Sequence, residues 1–300
     1  MLTLYNSNSF YDDNENNKSQ ACQKPLEIYS VIDPLCPECW SLEPVLKKLQ
    51  MEYGHYFRLR HFVSGSLESL NTYMPKRKGL KTAEQIAEKW EITASISGMS
   101  CDGDVWLENP ISAPHKATLA IKAAELQGKQ QGMKFLRKLR ENLFLNKKNI
   151  GNEEVLLEIA RSVGLDEEEF LNDLSSEAAI KALRCDLKFS QEMDVTQIPT
   201  LIVFNDKTDD DGIKISGCYS YDVYVEILRE MSDIKIEPAP LPDLEEFLSI
   251  YTFVATKEVS VVYQISCEEA EKQLKRLVLQ QKVERVPVKY GTFWRYTQTR

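Results

Sequence analysis

The first clear hydrophobic pattern is residues 26–32, LEIYSVI, whose β-branched and aromatic enrichment predicts a buried strand. Asp33-Pro34-Leu35 reads as a loop. A helix is then expected to open around Pro37, with Leu42, Val45, Leu46, Leu49 and Tyr53 on one face; proline suits a first turn, where its missing N–H has no partner to lose. A second strand is expected at 57–63, which makes a β-α-β unit with a parallel pair. Residues 82–195 read as six helices. Thr82 and Gln85 form a capping box ahead of Ile86 and Trp90. Pro114 opens a helix with Leu119, Ile121 and Leu126, and another spans about 133–145. Asn152 caps a fourth that ends at Gly164. Asp166 and Glu169 start a fifth with Phe170, Leu171 and Leu174, and a sixth covers about 177–193. Strand signals return at 200–204, then a turn at 205–212 and a returning strand at 213–217. Ser220 caps a helix with Val223, Ile227 and Met231.

Pro238, Pro240 and Pro242 form the densest breaker in the chain and mark a domain boundary. Beyond it the pattern predicts helices at 244–255, 257–265 and 267–281, then a hairpin of 283–288 and 292–296 around Tyr290-Gly291. Three helices followed by a hairpin suggest a small winged-helix-like α+β domain. The expected organisation is a flexible Asn-, Ser- and Asp-rich tail at 1–24, a domain at 25–236 holding the helical insertion of 82–195, a Pro-rich linker at 237–242, and the small domain at 243–300.

The net charge of −9 opposes general nucleic-acid binding. A basic and aromatic cluster does occur at Lys282, Arg285, Lys289, Phe293, Trp294, Arg295, Tyr296 and Arg300. The helix before it begins with Glu268, Glu269 and Glu271, where a DNA reader would carry cations, so protein docking is expected and nucleic acid is not. No apolar run approaches the roughly 18 residues of a membrane span. The N-terminus lacks the basic and apolar regions of a secretory signal. Seven scattered cysteines, an odd number, fit a reducing cytoplasm better than a disulfide scaffold.

One cysteine pair has a spacing that carries chemistry. Cys36-Pro37-Glu38-Cys39 lies between an expected strand and helix, where the helix N-terminus favours thiolate. Cys36 is expected to be the exposed nucleophile and Cys39 its more buried resolving partner. Glu38 opposes thiolate formation. Ile198-Pro199-Thr200 precedes a strand, the place where thioredoxin-like folds put a cis-proline facing the cysteines. This order, with a long helical insertion, predicts a thioredoxin-like fold of the DsbA-like branch. Trp40, Trp90 and Trp106 read as core. Cys101, Cys185, Cys218 and Cys267 read as buried small apolar residues or stray thiols, and His55, His61 and His115 form no pattern. The acidic runs at 166–169 and 209–211 read as a helix start and a solvated turn. Zinc at Cys36 and Cys39 would need two further ligands, and no second C-x-x-C or H-x-x-x-H exists, so neither metal nor cofactor is expected.

The segment from Pro25 through Asp33-Pro34-Leu35-Cys36-Pro37-Glu38-Cys39-Trp40 to Pro44 resembles the YjbH/SpxH family. So do Ser97-Gly98-Met99-Ser100-Cys101-Asp102-Gly103, Lys122 to Gly128, Ser220-Tyr221-Asp222-Val223-Tyr224 and Val254-Ala255-Thr256-Lys257-Glu258. The resemblance implies a cytoplasmic adaptor that binds the transcriptional regulator Spx and promotes its degradation by the protease ClpXP. Some relatives carry His and Cys in the N-terminal tail; this chain has only Cys22 there and no histidine before His55. An adaptor needs surface complementarity and no nucleophile, so on this reading Cys36 and Cys39 serve packing, or at most modulate the adaptor through their redox state. The alternative is a cytosolic thiol-disulfide oxidoreductase or isomerase that uses Cys36, Cys39 and Pro199.

Overall fold

The computed structural model describes residues 24–64, 82–111, 113–205 and 212–297. The expected tail with Cys22, most of the turn at 205–212 with its acidic run, and Arg300 lie outside the described residues. Strands β1 (Leu26–Ile32), β2 (Phe57–Val63), β3 (Thr200–Asn205) and β4 (Ile213–Ser216) form one sheet in the order β2-β1-β3-β4. β1 and β2 run parallel, with Leu26 opposite Phe57. β3 is antiparallel to β1, with Ile28 opposite Val203, and β4 is antiparallel to β3. Ile28, Leu201 and Val203 pack against Leu46 and Leu49 of α2 (Glu43–Tyr53) and Tyr224 and Leu228 of α10 (Tyr221–Met231).

A single helix from Pro37 to Tyr53 is not what forms. α1 (Pro37–Ser41) and α2 are separate, with Leu42 between them. Pro44 has no N–H to return to the preceding turn, and its ring crowds the carbonyl there, so the apolar periodicity crosses a break it does not register.

The helical block between β2 and β3 comprises α3 (Ala83–Ser97), α4 (Val105–Glu108), α5 (Pro114–Leu126), α6 (Lys129–Asn146), α7 (Glu153–Ser162), α8 (Glu167–Leu174) and α9 (Glu177–Glu192). Thr82 and Gln85 cap α3 reciprocally, and the Asn152 and Asp166 side chains accept from Glu154 N–H and Glu169 N–H. The short α4 has no strong sequence signal. Gly103 before it is required by close approach: a Cβ there would lie 2.3 Å from the Ala87 carbonyl oxygen.

The C-terminal segment holds α11 (Leu244–Tyr251), β5 (Phe253–Ala255), α12 (Thr256–Tyr263), α13 (Cys267–Leu279), β6 (Val283–Pro287) and β7 (Thr292–Tyr296). Residues 253–255, expected as the end of a helix, form a strand. The helix stops where Thr252 takes a φ of +52°, and Tyr296 N–H then bonds to Thr252 O. The sheet order is β5-β7-β6. Both faces are buried by alternation. Val254 and Trp294 join Phe247, Val259 and Leu274 of the segment's own helices. Ala255 and Phe293 face the other way, into the core that contains Trp40 and Phe144.

The proline segment is tied down on both sides. Ala239 N–H donates to Glu52 O at 2.7 Å, and Tyr263 Oη donates to Pro242 O at 3.0 Å. Among the described residues no helix is long and apolar enough to cross a membrane.

Candidate functional site

Cys36 is the N-cap of α1, its Sγ accepting Cys39 N–H at 3.2 Å. The Ile198–Pro199 peptide is cis, and Ile198 O lies 3.9 Å from Cys36 Sγ. β1, α1 and the start of β3 therefore bring together Cys36, Cys39 and Pro199, residues more than 150 positions apart in part.

Two expectations about this pair are corrected. Cys36 is only 7% exposed and Cys39 2%, so neither thiol stands out as an exposed nucleophile. Cys36 is also not driven towards thiolate. Its hydrogen bond with the Cys39 side chain pushes the thiol up, and burial and the charges of Cys39 and Glu38 push the same way; only Cys39 N–H opposes them. The five-residue α1 cannot outweigh these neighbours. All six described cysteines are free thiols.

Glu38, between the cysteines, pairs with Lys89 of α3 at 2.8 Å. On its other side Cys218 Sγ donates to Glu38 O at 3.4 Å. Burial, with Cys39 and Glu38 adding to it, pushes the Cys218 thiol up to about 12. Sequence reasoning left Cys218 aside; no spacing rule links it to the motif, and only the pairing of β3 with β4 carries it there. Cys101 is buried, whereas Cys185, Cys218 and Cys267 are exposed residues.

Trp40, directly after Cys39, is fully buried. Its Nε1 donates to Ser100 O at 2.9 Å. Phe144 and Phe293 stack on it, and the Arg137 guanidinium lies 4.5 Å from its centroid. Arg137 also grips Glu258 of α12 through two bonds of 3.0 Å, and Lys47 reaches the same carboxylate at 2.5 Å. These cations hold the Glu258 carboxyl down to about 2 against its burial. Asp33, buried just before the motif, goes the other way: burial pushes it up to about 6.

Among the described residues, one set of three possible metal ligands comes together: Glu91, Asp102 and Asp104. Lys289 of the C-terminal hairpin already sits there, 2.5, 3.2 and 2.7 Å from the three carboxylates. The described cysteines gather no such set. A groove of about 290 Å³ runs along the seam between helical block and C-terminal sheet, lined by Leu145, Ile159, Phe253 and Val286 with Lys138 and Arg295.

The arrangement presents a shielded pair of thiols beside a cis-proline, locked to a C-terminal segment through Trp40. It offers surfaces more than reactive atoms.

A thioredoxin family model matches residues 29–226. The chain is 54% identical over 287 residues to the ClpXP adapter protein SpxH of Halalkalibacterium halodurans, covering 96% of this chain and 94% of that one. It is 53% identical over 279 residues to the ClpXP adapter protein SpxH of Bacillus subtilis, covering 92% and 91%. Among solved structures, the cytosolic disulfide reductase DsbM of Pseudomonas aeruginosa superposes with a TM-score of 0.52 at 16% identity, covering 69% of this chain and 100% of that one. That likeness shows a shared fold alone.

Proposed function

Because the chain belongs to the SpxH family of ClpXP adapter proteins, we propose that it is a cytoplasmic adaptor that binds Spx and promotes its degradation by ClpXP. The observation that carries this reading is the extent of the likeness. It runs over 96% of the chain, through the C-terminal segment that a simple oxidoreductase does not need. We divide the chain for this purpose into a thioredoxin-type unit at 25–236 and a docking unit at 243–300, with 237–242 between them.

The site's chemistry agrees with a scaffold role. Both thiols of the C-x-x-C pair are buried, and Cys36 is held protonated. A buried thiol that stays protonated is a slow nucleophile. On this reading Cys36, Cys39 and Pro199 shape a surface, and the client is held by complementarity.

A second reading, thiol-disulfide exchange at Cys36 and Cys39, is favoured by one observation: Ile198 O of the cis peptide faces Cys36 Sγ. Both readings meet in one experiment, a reconstituted degradation assay with purified Spx and ClpXP in strong reductant. Parent protein and the Cys36→Ala/Cys39→Ala double variant are expected to accelerate Spx loss equally. If the folded double variant fails while the parent works, thiol chemistry belongs in the mechanism and the oxidoreductase reading replaces the scaffold.

A further inference from the structure

The C-x-x-C helix is covered from one side by α3, and α3 is itself held by the C-terminal hairpin. Two ion pairs stand in series. Lys89 of α3 reaches Glu38, between the two cysteines, at 2.8 Å. Two residues further along, Glu91 reaches Lys289, at the hairpin tip, at 2.5 Å. Lys289 also holds Asp102 and Asp104, which flank the close contact between Gly103 and Ala87 of α3. A second connection runs underneath. Tyr290 N–H donates to Ser100 Oγ, Ser100 O accepts from Trp40 Nε1, and Phe293 stacks on the Trp40 ring.

We propose that the hairpin straps α3 down over the C-x-x-C helix and so caps the reactivity of Cys36 from within the molecule. A thioredoxin-type unit with a C-x-x-C and a cis-proline is built for access to its first cysteine, yet here that cysteine is 7% exposed. Its helix packs in one core with Ile86, Ala87 and Trp90 of α3, and α3 is positioned by side chains from the far end of the chain. Cys36 reacts only when the strap lifts, so its rate with a small reagent reports the fraction of molecules with α3 released. The strap is a property of the fold and stands apart from the adaptor reading, since its test involves neither client nor protease.

The test is residue-resolved alkylation of the full, reduced chain with iodoacetamide, read by mass spectrometry. Lys289→Glu places a fourth carboxylate among Glu91, Asp102 and Asp104 and drives the tip away. Added negative charge can only push the Cys36 thiol further up and slow its alkylation, so faster labelling must come from opening. Cys36 is expected to react about tenfold faster in Lys289→Glu, less so in Lys289→Ala, and at the parent rate in Lys289→Arg, while the exposed Cys267 keeps its rate throughout. Hydrogen exchange of the β1 amides serves as the fold check and is expected to stay slow. Unchanged Cys36 rates in Lys289→Glu overturn the proposal. So does a faster rate matched by lost protection in β1, which would report general unfolding.

Discussion

Trp40 and Phe293 lie with ring planes 7° apart and centroids 6.1 Å from each other, one on the C-x-x-C helix and the other on β7. Both rings are buried, and the contact joins the sheet unit to the C-terminal sheet. Removal of either ring leaves a cavity that its aromatic neighbours cannot fill. Trp40→Ala is expected to destabilise the protein by about 3–5 kcal/mol, with Phe293→Ala comparable. The double variant should cost less than the sum, because the two share one cavity. Urea unfolding of the four proteins measures this, and strict additivity would disprove the shared core.

Glu258 is fully buried between Lys47 and Arg137. Glu258→Gln takes the carboxylate from the buried Lys47, while Arg137 keeps Glu141 and Glu43, and is expected to cost about 3 kcal/mol in the same unfolding experiment. A loss below about 1 kcal/mol would mean that water replaces the lost partner.

The same residue sets an acid limb. Its carboxyl is held down to about 2, against an ordinary value of 4.5. The stabilisation is therefore complete above about pH 4.5 and drains as pH falls towards 2, by about 3 kcal/mol in all. Asp33 has the opposite sign. Burial pushes it up to about 6, so it favours the fold below its unfolded value near 3.8 and loses that contribution as pH rises through 6, again about 3 kcal/mol. Asp33→Asn is expected to be more stable than the parent at pH 7 and to flatten the profile between pH 4 and 6. Parallel profiles for the two proteins would contradict this.

Cys36 caps α1 through its sulfur. Serine offers a better acceptor in the same place and alanine none. Cys36→Ser is expected to exceed Cys36→Ala in stability by about 1 kcal/mol. Thermal melts in reductant compare them, and equal midpoints would show that the cap contributes nothing.

Gly103→Ala would push a methyl group into the Ala87 backbone, 2.3 Å from its carbonyl oxygen. Backbone cannot yield as a side chain does, so α3 and the turn before α4 must part. A loss of about 1–3 kcal/mol is expected, with faster hydrogen exchange confined to α3 and α4.

Much of this fold is written locally. The capping box of Thr82 and Gln85, the acceptors Asn152 and Asp166, and the β-branched runs of β1 and β3 each declare themselves within a few residues. Ile198-Pro199 was legible because its position before a strand carries a backbone meaning. Pro44 was visible too, but the apolar repeat running across it argued for one helix and concealed the break. β5 is three residues long, and its identity depends wholly on β7 lying beside it. Cys36 is likewise more buried than its place at a helix terminus suggests. The helix terminus, Glu38 and Cys39 are local and visible, whereas Ile198 O beside the sulfur and the packing of α3 on α1 come from folding the whole chain. No local pattern announces that Lys289 will meet Glu91, Asp102 and Asp104.

β7 is the last of the described elements, yet it lies in the middle of its sheet, with β5 and β6 on either side. A ribosome delivers the chain in order. Until 292–296 has emerged, β5 and β6 have nothing to pair with, Trp40 lacks Phe293, and Val254 lacks Trp294. A nascent or truncated chain thus displays unpaired strands and bare apolar surface, the features by which unfinished proteins are recognised and aggregate. For a molecule whose proposed work is to hand others over for destruction, the emergence of one late strand decides whether it arrives as the escort or as the cargo.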